Sequence, residues 1–118
     1  ELEKRTNIKF RLTVFPKNLK TDIKLSTTLF RIFQEILINI ARHSQATKVV
    51  VYLRKQNEII YLLVHDNGIG IKQEEIWNKK SLGILGMQER ALIFGGKLQI
   101  DGIAGHGTTV KVEIPVKK

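Results

Sequence analysis

The sequence predicts an α+β protein with a two-layer α/β sandwich, in which a mixed, mostly antiparallel sheet of about five strands carries helices on one face. Three observations lead to this prediction. Several short stretches alternate between apolar and polar residues or are apolar throughout, which is typical of strands. One long stretch repeats apolar residues at steps of three and four, which is typical of a helix. The predicted elements follow one another as strand, helix, two strands, loop, helix and two strands, an order that favours helices packed beside a single sheet.

Size and composition limit the possible functions. The 118 residues are the size of one domain, and the absence of cysteine excludes disulfides, thiolate metal sites and a cysteine nucleophile. No apolar run approaches the roughly 18 to 20 residues that cross a bilayer. Because the chain starts at Glu1 rather than Met, we expect residues 1–6 to be a linker remnant and residues 7–118 a domain of a longer parent protein. We expect this domain in the cytoplasm, whether or not its parent is anchored in a membrane.

The net charge of +9 indicates an anionic partner. Nucleic acid or an anionic membrane is one class of partner, and a polyphosphate ligand or an acidic protein is the other. Lys and Arg are scattered, without a run of five or more, and the few aromatic residues do not alternate with them. The pattern therefore favours the second class, and we expect neither nucleic acid binding nor membrane contact by this domain.

The first strand and the long helix occupy the first third of the chain. Apolar and polar residues alternate at positions 8–15, and Pro16 ends this strand. A polar connection, residues 17–25, leads to the helix, for which Ser26 or Thr27 is the predicted N-cap. The apolar stripe of this helix consists of Leu29, Ile32, Phe33, Ile36, Leu37 and Ile40.

A polar line runs beside that stripe. Glu35, Asn39 and either Arg42 or His43 are spaced by four and by three or four residues, which places them along one side of the helix. For most helices such a line is simply a solvated face. Asn, however, is a poor helix former in mid-helix, so its presence indicates that the amide oxygen of Asn39 has a use there.

The next two strands are predicted at residues 46–55 and 59–66. The second of these is apolar on both faces, which predicts a central strand that is covered on both sides. Asp66 ends it in the same alternation as Leu62 and Val64, so its carboxylate points to an interior face, where an unpaired charge is costly. Gly68 and Gly70 follow at once and allow the backbone to come close to a ligand. A carboxylate here could accept a hydrogen bond from an exocyclic amine, although an ordinary glycine turn is the alternative.

The last third of the chain begins with a polar stretch at residues 72–81, for which we predict a mobile loop with room for one short helix. A helix is predicted at residues 88–94 and ends at Gly95 and Gly96. The glycine-containing segment before it is a candidate anion site, because first-turn N–H groups are free. Strands at residues 97–103 and 108–116 complete the sheet and are joined by a hairpin at residues 105–107.

Four stretches together resemble the ATP-binding domain of sensor histidine kinases. Residues 34–44 (QEILINIARHS) resemble the N box, residues 66–71 (DNGIGI) the first glycine box, residues 83–90 (GILGMQER) the second, and residues 105–108 (GHGT) the closing Gly-Thr element. The resemblance covers nearly the whole chain, residues 8–115. Its details are most similar to the histidine kinase class that is paired with helix-turn-helix response regulators. It implies the Bergerat ATP-binding fold, with ATP and Mg²⁺ as cofactors.

The resemblance implies a set of adenine-binding residues. Asp66 would bind the adenine amino group, and Gly70 and Ile71 would line the ring site. Gly68 belongs to the same set of binding residues. Thr108 would hold a water that bridges Asp66 and the base.

The resemblance also implies a set of catalytic residues. Asn39 would ligate Mg²⁺ through its amide oxygen. Glu35 would orient a metal-bound water or help to activate the attacking imidazole. Arg42 and His43 would lie near the phosphates.

The lid, residues 81–87, is the part that would close over the triphosphate. Gly83 and Gly86 would allow its backbone to fold over the phosphates, and Met87 belongs to the same motif. Ser81 stands where the family pattern has its first glycine, and Ile84 replaces Leu. We therefore expect a less permissive lid backbone, with altered lid closure or ATP affinity.

The resemblance implies a protein-histidine kinase that acts together with other domains. A histidine kinase phosphorylates a histidine on a separate helical dimerisation domain, and none of the three histidines here has the sequence surroundings of an acceptor. The implied partners are therefore the phosphoacceptor domain of a homodimeric parent and a response regulator. Two alternatives remain: a stand-alone serine kinase of the anti-sigma-factor type, and a degenerate, non-catalytic interaction module.

Overall fold

The computed structural model describes residues 7–70 and 83–116, except for the side chain of His43. The described chain forms one five-stranded sheet in the order β1-β2-β3-β5-β4. The strands are β1 (Lys9–Phe15), β2 (Lys48–Gln56), β3 (Ile59–Asp66), β4 (Lys97–Ile103) and β5 (Gly107–Pro115). Strands β1 and β2 are parallel, and every other neighbouring pair is antiparallel. The predicted mixed, mostly antiparallel sheet is therefore confirmed.

Two helices pack against one face of this sheet. Helix α1 (Ile23–Asn39) continues into a π-helical turn (Ile40–Ser44), and helix α2 (Ile84–Ile93) precedes β4. Their apolar residues join those of β2, β3 and β5 in a single buried core. The fully buried side chains at its centre include Ile32, Ile36, Ile60, Ile84, Met87, Val112 and Ile114. This arrangement is the two-layer sandwich that the order of elements predicts.

The central strand β3 has one covered and one open face. It lies between β2 and β5, so its predicted central position is confirmed. On the helix side Ile60, Leu62 and Val64 are at most 4% exposed. On the other side Leu63 is only half-buried and His65 is exposed. The prediction that both faces are covered is wrong, because α1 and α2 lie on the same side of the sheet.

Helix α1 begins earlier than the sequence pattern indicated. Its N-cap is Asp22, whose Oδ1 accepts a hydrogen bond of 2.8 Å from the backbone N–H of Leu25. The prediction of Ser26 or Thr27 as N-cap is therefore wrong. Both residues lie inside the helix, where the Thr27 hydroxyl donates to the carbonyl of Ile23 at 2.8 Å. An ionised carboxylate also suits the positive end of the helix dipole.

Helix α2 begins four residues before the predicted segment. Gly83 is its N-cap and has φ of 68°, a left-handed conformation that glycine adopts without steric cost. Ile84, Met87 and Ala91 are the buried residues of the helix, and their spacing of three and four explains the earlier start. The predicted stop is confirmed: the N–H of Gly96 donates to the carbonyl of Ala91 at 2.9 Å.

Neither described helix has the length and apolar character needed to cross a membrane.

Candidate functional site

A cavity of about 120 Å³ lies where the end of α1, the end of β3, the start of α2 and the β4–β5 hairpin meet. Its wall is mostly apolar, and four polar residues contribute to it: Asn39, Ser44, Asp66 and Thr108. The remaining lining residues are Ile36, Ile40, Ile69, Gly70, Ile84, Met87, Ile100 and Val110. Such a cavity suits a flat, largely apolar ligand with one polar edge.

Asp66 is the buried charge of this cavity. It is the last residue of β3, pairs with Thr108 of β5, and is only 3% exposed. Burial raises the pKa of its carboxyl group above the ordinary value of 3.8. Hydrogen bonds from the backbone of Gly68 and Thr108, and the charge of His65, act in the opposite direction on this pKa. The predicted orientation of Asp66 toward the interior is thus confirmed.

The loop after Asp66 is held against the end of α1 by backbone groups. The N–H of Gly68 donates to Oδ1 of Asp66 at 2.7 Å, and the N–H of Ile69 donates to the carbonyl of Ser44 at 2.7 Å. A Cβ at Gly68 would lie within 3.0 Å of the Ser44 carbonyl oxygen and of the Ser44 Cβ. Only glycine therefore fits at this position without a shift of the backbone.

Asn67 ties the same loop to the start of β2. Its Oδ1 accepts hydrogen bonds from the N–H groups of Thr47 and Lys48 at 2.8 and 2.9 Å. Its Nδ2 donates to Oγ1 of Thr47 at 2.9 Å. The side chain of Asn67 therefore serves the structure of the loop and does not face the cavity lining.

The β4–β5 hairpin closes the cavity from the other side. The N–H of Gly105 donates to the carbonyl of Ile69 at 2.9 Å. Gly70 has φ of 86° and packs against the backbone of Ile103. Gly107 has φ of 96°, and a Cβ there would lie within 3.0 Å of the Asp66 carbonyl oxygen. The two backbone segments thus approach each other more closely than side chains would allow.

The residues of the predicted polar line separate into two places. Asn39 is half-buried and lines the cavity together with Asp66 and Thr108. Glu35, one turn earlier on α1, packs against Gly83, where a Cβ would lie within 3.0 Å of its carboxylate. It lines a neighbouring depression with Gly83, Gly86 and Met87. Because Met87 belongs to both linings, the two places adjoin.

The other predicted site residues differ in whether they line the cavity. Gly70 and Met87 line it directly, and Gly68 supports it from behind. Arg42 is exposed on the π-helical turn and lines neither place. The side chain of His43 lies outside the described part of the chain, as do Ile71, Ser81 and the predicted loop at residues 72–81.

Sequence reasoning did not assign a role to Ser44, Ile100 or Val110, although all three line the cavity. Ile100 and Val110 are register partners on β4 and β5, and both point to the helix side. Their alternation with polar residues was visible in the sequence, but the order of strands that brings them beside Asp66 was not.

The amino-acid sequence matches the family model described as "Histidine kinase-, DNA gyrase B-, and HSP90-like ATPase" over residues 24–118. The chain belongs to this family. The match covers every element from α1 onward, and it confirms the predicted ATP-binding fold of the histidine kinase type. ATP as the cofactor follows from the same match.

Sensor kinases are among the similar curated proteins. Sensor histidine kinase LiaS of Bacillus subtilis is 42% identical over 88 residues, which are 75% of this chain and 24% of that protein. Sensor protein VraS of Staphylococcus epidermidis is 40% identical over 90 residues, or 76% of this chain and 26% of that protein. This ATPase chain therefore spans about a quarter of the length of these relatives.

Solved structures share the fold. The histidine kinase domain of the blue-light activated histidine kinase EL346 from Erythrobacter litoralis superposes with a TM-score of 0.77 and 22% identity. The superposition covers 98% of this chain and 54% of that chain.

Proposed function

We propose that this ATPase-family chain is the catalytic domain of a sensor histidine kinase. In this role it holds Mg-ATP and presents the γ-phosphate to a histidine on a separate, helical phosphoacceptor domain of the same parent protein. The observation that carries the proposal is the buried carboxylate of Asp66 in an apolar cavity that also contains Asn39 and Thr108. Burying a charge is costly unless the charge is hydrogen-bonded, so a buried carboxylate in the wall of a cavity indicates a ligand that donates to it. The amino group of adenine is such a donor.

The adenine site is built by Asp66 and its neighbours. The carboxylate accepts a hydrogen bond from the exocyclic amine, and the apolar wall of the cavity encloses the faces of the ring. Thr108, 7% exposed and opposite Asp66 on β5, is placed to hold a water between the carboxylate and the base. Gly70 allows the backbone to lie flat beside the ring.

The donor set near the cavity fits magnesium as part of a nucleotide complex. The described residues contain no group of three or more His, Cys, Asp or Glu side chains that could hold a metal unaided. Mg²⁺ in nucleotide sites takes one or two protein oxygens and completes its shell with phosphate oxygens and water. The half-buried amide of Asn39 supplies one such oxygen at the rim of the adenine site. When bound, the ion neutralises charge on the transferred phosphoryl group.

Glu35 and the glycines of the lid would act on the phosphate side. Glu35 lies on α1, one helical turn before Asn39, and packs against Gly83 at the start of α2, where it can orient a water or the attacking imidazole. Gly83 and Gly86 line the same depression as this carboxylate, and the first N–H groups of a helix have no partner within the helix. Arg42 and His43 follow Asn39 on the π-helical turn and would balance phosphate charge.

The partners of the domain follow from this role. The relatives named above are sensor proteins about four times as long as the matched region, so the phosphoacceptor domain is proposed to lie elsewhere in the parent. A response regulator would then receive the phosphoryl group, and the parent would act as a homodimer. Because ATP is the phosphoryl donor, we place the domain in the cytoplasm.

Calorimetric titration with ATP in the presence of Mg²⁺ tests the nucleotide site. We expect binding by the native chain and a loss of at least tenfold in affinity, or about 1.4 kcal/mol, for Asp66→Asn, because an NH2 group replaces one of the two acceptor oxygens. Asp101→Asn is the matched control, since Asp101 is an exposed aspartate on β4. Equal affinities for all three proteins would contradict the proposal.

Phosphoryl transfer is tested separately with γ-labelled ATP. We expect no label on the chain alone and label on a histidine when an isolated helical phosphoacceptor domain is added. Label on a serine of a regulator protein instead would favour the serine kinase alternative. Robust self-labelling on a histidine would contradict the assignment of the acceptor to another domain.

A further inference from the structure

Ser44 connects the end of α1 to the loop that carries Asp66. We propose that Ser44 is a positioning residue for nucleotide recognition: its hydroxyl fixes the π-helical turn, and its carbonyl then holds Gly68 and Ile69 so that Asp66 faces the adenine edge. This inference rests on the proposed ATP function and assigns to that function a residue whose hydroxyl and carbonyl form hydrogen bonds within the protein.

The hydroxyl of Ser44 is used twice. It donates to the carbonyl of Ile40 at 2.8 Å and accepts from the N–H of Ala46 at 3.1 Å. Ser44 is only 8% exposed, so water cannot easily replace either bond. Between these partners Gln45 has φ of 57° and ψ of 28°, a left-handed conformation. The hydroxyl therefore spans the residue at which the chain leaves the helix, and it fixes the direction of the peptide planes on both sides.

The carbonyl of Ser44 is the second link. It accepts the 2.7 Å hydrogen bond from Ile69, and Gly68 packs against the same peptide without room for a Cβ. The N–H of Gly68 in turn donates to Oδ1 of Asp66 at 2.7 Å. A rotation of the Ser44 peptide would therefore move both loop residues and, through Gly68, the carboxylate.

The π-helical turn ends at Ser44, the residue whose carbonyl bonds to the loop. Single π-helical turns in α-helices are frequent at functional sites. The turn begins at Ile40, which itself lines the cavity. Ile40 and Ser44, the first and last residues of this turn, thus line the cavity, and Ser44 also supports the loop beside it.

A positioning role and a purely structural role predict different nucleotide selectivity. If a substitution only reduces the folded fraction, the apparent affinities for ATP and GTP fall by the same factor. If it displaces Asp66, the affinity for ATP falls more than the affinity for GTP. Adenine presents an amine that donates a hydrogen bond to Asp66, whereas guanine presents a carbonyl at the same position. The ratio of ATP to GTP affinity therefore separates the two roles.

The test compares Ser44→Ala with Thr27→Ala in calorimetric titrations of Mg-ATP and Mg-GTP. Thr27 is a matched control, because its hydroxyl makes the same bond to the carbonyl four residues earlier on α1, also at 2.8 Å, but at an exposed site. For Ser44→Ala we expect about a tenfold loss of ATP affinity and a several-fold fall in the ATP to GTP ratio, the scale of one misplaced hydrogen bond to a charged group. Thr27→Ala should leave both quantities within about twofold of the native chain, because exposed substitutions have small effects.

Hydrogen exchange of the Ile69 amide provides a second readout in the folded protein. Ser44→Ala should accelerate this exchange, because the hydrogen bond from Ile69 to Ser44 loses its support, while exchange of the core amides of β3 stays unchanged. If Ser44→Ala does not fold, Ser44→Cys serves the same comparison, since a thiol of similar size is a much weaker hydrogen-bond donor.

Each outcome has one meaning. Native binding of ATP with an unchanged ATP to GTP ratio and unchanged Ile69 exchange in the Ser44 variants would overturn this inference and leave the proposed function in place. If the native chain binds neither nucleotide, the proposed function fails and the inference fails with it.

Discussion

The two glycines of the β4–β5 hairpin provide a sharp test of how the hairpin positions Asp66. Gly105 and Gly107 both have positive φ, 78° and 96° respectively, so an alanine at either position is strained. They differ in space: a Cβ at Gly105 has nothing within 4 Å, whereas a Cβ at Gly107 would lie within 3.0 Å of the Asp66 carbonyl oxygen and carbon. Gly105→Ala therefore reports the cost of the conformation alone, and Gly107→Ala adds the displacement of Asp66.

The expected magnitudes follow from these two terms. A left-handed alanine costs about 1–2 kcal/mol, which applies to both variants. Forcing apart two packed backbones adds about 1–3 kcal/mol, which applies only to Gly107→Ala. With a melting shift of roughly 4 °C for each kcal/mol in a domain of this size, we expect a decrease of about 4–8 °C for Gly105→Ala and about 8–20 °C for Gly107→Ala.

Thermal unfolding followed by circular dichroism measures the first difference, and calorimetric titration with ATP measures the second. ATP affinity should fall about tenfold in Gly107→Ala, corresponding to about 1.4 kcal/mol, because the carbonyl that shifts belongs to Asp66, the residue that we propose binds the base. Gly105→Ala should bind ATP as the native chain does at a temperature where both are folded. Equal melting shifts, or equal ATP affinities in the two variants, would refute the reasoning.

Three further predictions concern the cavity and its rim. The pKa of Asp66 is raised in the folded chain, so its protonation favours the native state over the unfolded state as pH falls. ATP affinity should nevertheless fall with decreasing pH, with a midpoint above 3.8, and an affinity that stays constant down to pH 3.8 would contradict the role of the ionised carboxylate. Gly86→Ala places a Cβ in α2 with only Arg90 Nη1 nearby, at 3.5 Å, so stability should rise by about 0.5–1 kcal/mol in chemical denaturation while ATP affinity falls if the bare backbone serves the phosphates. Asn39→Ala should abolish the difference between the ATP affinities measured with Mg²⁺ and with a chelator. A difference as large as in the native chain would contradict the proposed binding of Mg²⁺ by Asn39.

The sequence was informative where one residue's chemistry conflicts with its local pattern. Asp66 ends an apolar strand on its buried side, and Asn39 interrupts a good helix, and each proves to line the cavity. Such conflicts are visible without coordinates, because strand alternation and helix spacing assign a side to each residue. The order of the strands and the pairing of β3 with β5 cannot be obtained in this way, since they depend on contacts between distant parts of the chain.

The errors have equally specific causes. Asp22 was missed as N-cap because Ile23 and Lys24 do not continue the apolar stripe, although Asp is a favoured N-cap residue. The open face of β3 was missed because Ile59 and Leu63 on that face are apolar, which suggests a second layer. Ser44 was overlooked because its hydroxyl bonds only to backbone groups of nearby residues, and its contact with the loop is made through a backbone carbonyl, which every residue possesses.

Both backbone groups of Ile69 are engaged: its N–H with Ser44 and its carbonyl with Gly105. The loop therefore bridges two parts of the chain that are far apart in sequence, in the manner of a strand between two neighbours. It cannot become ordered by itself, because each bond needs a flanking segment that has already docked. Order at this loop should accordingly depend on both flanking segments, so that a ligand bound there stabilises the end of α1 and the β4–β5 hairpin together.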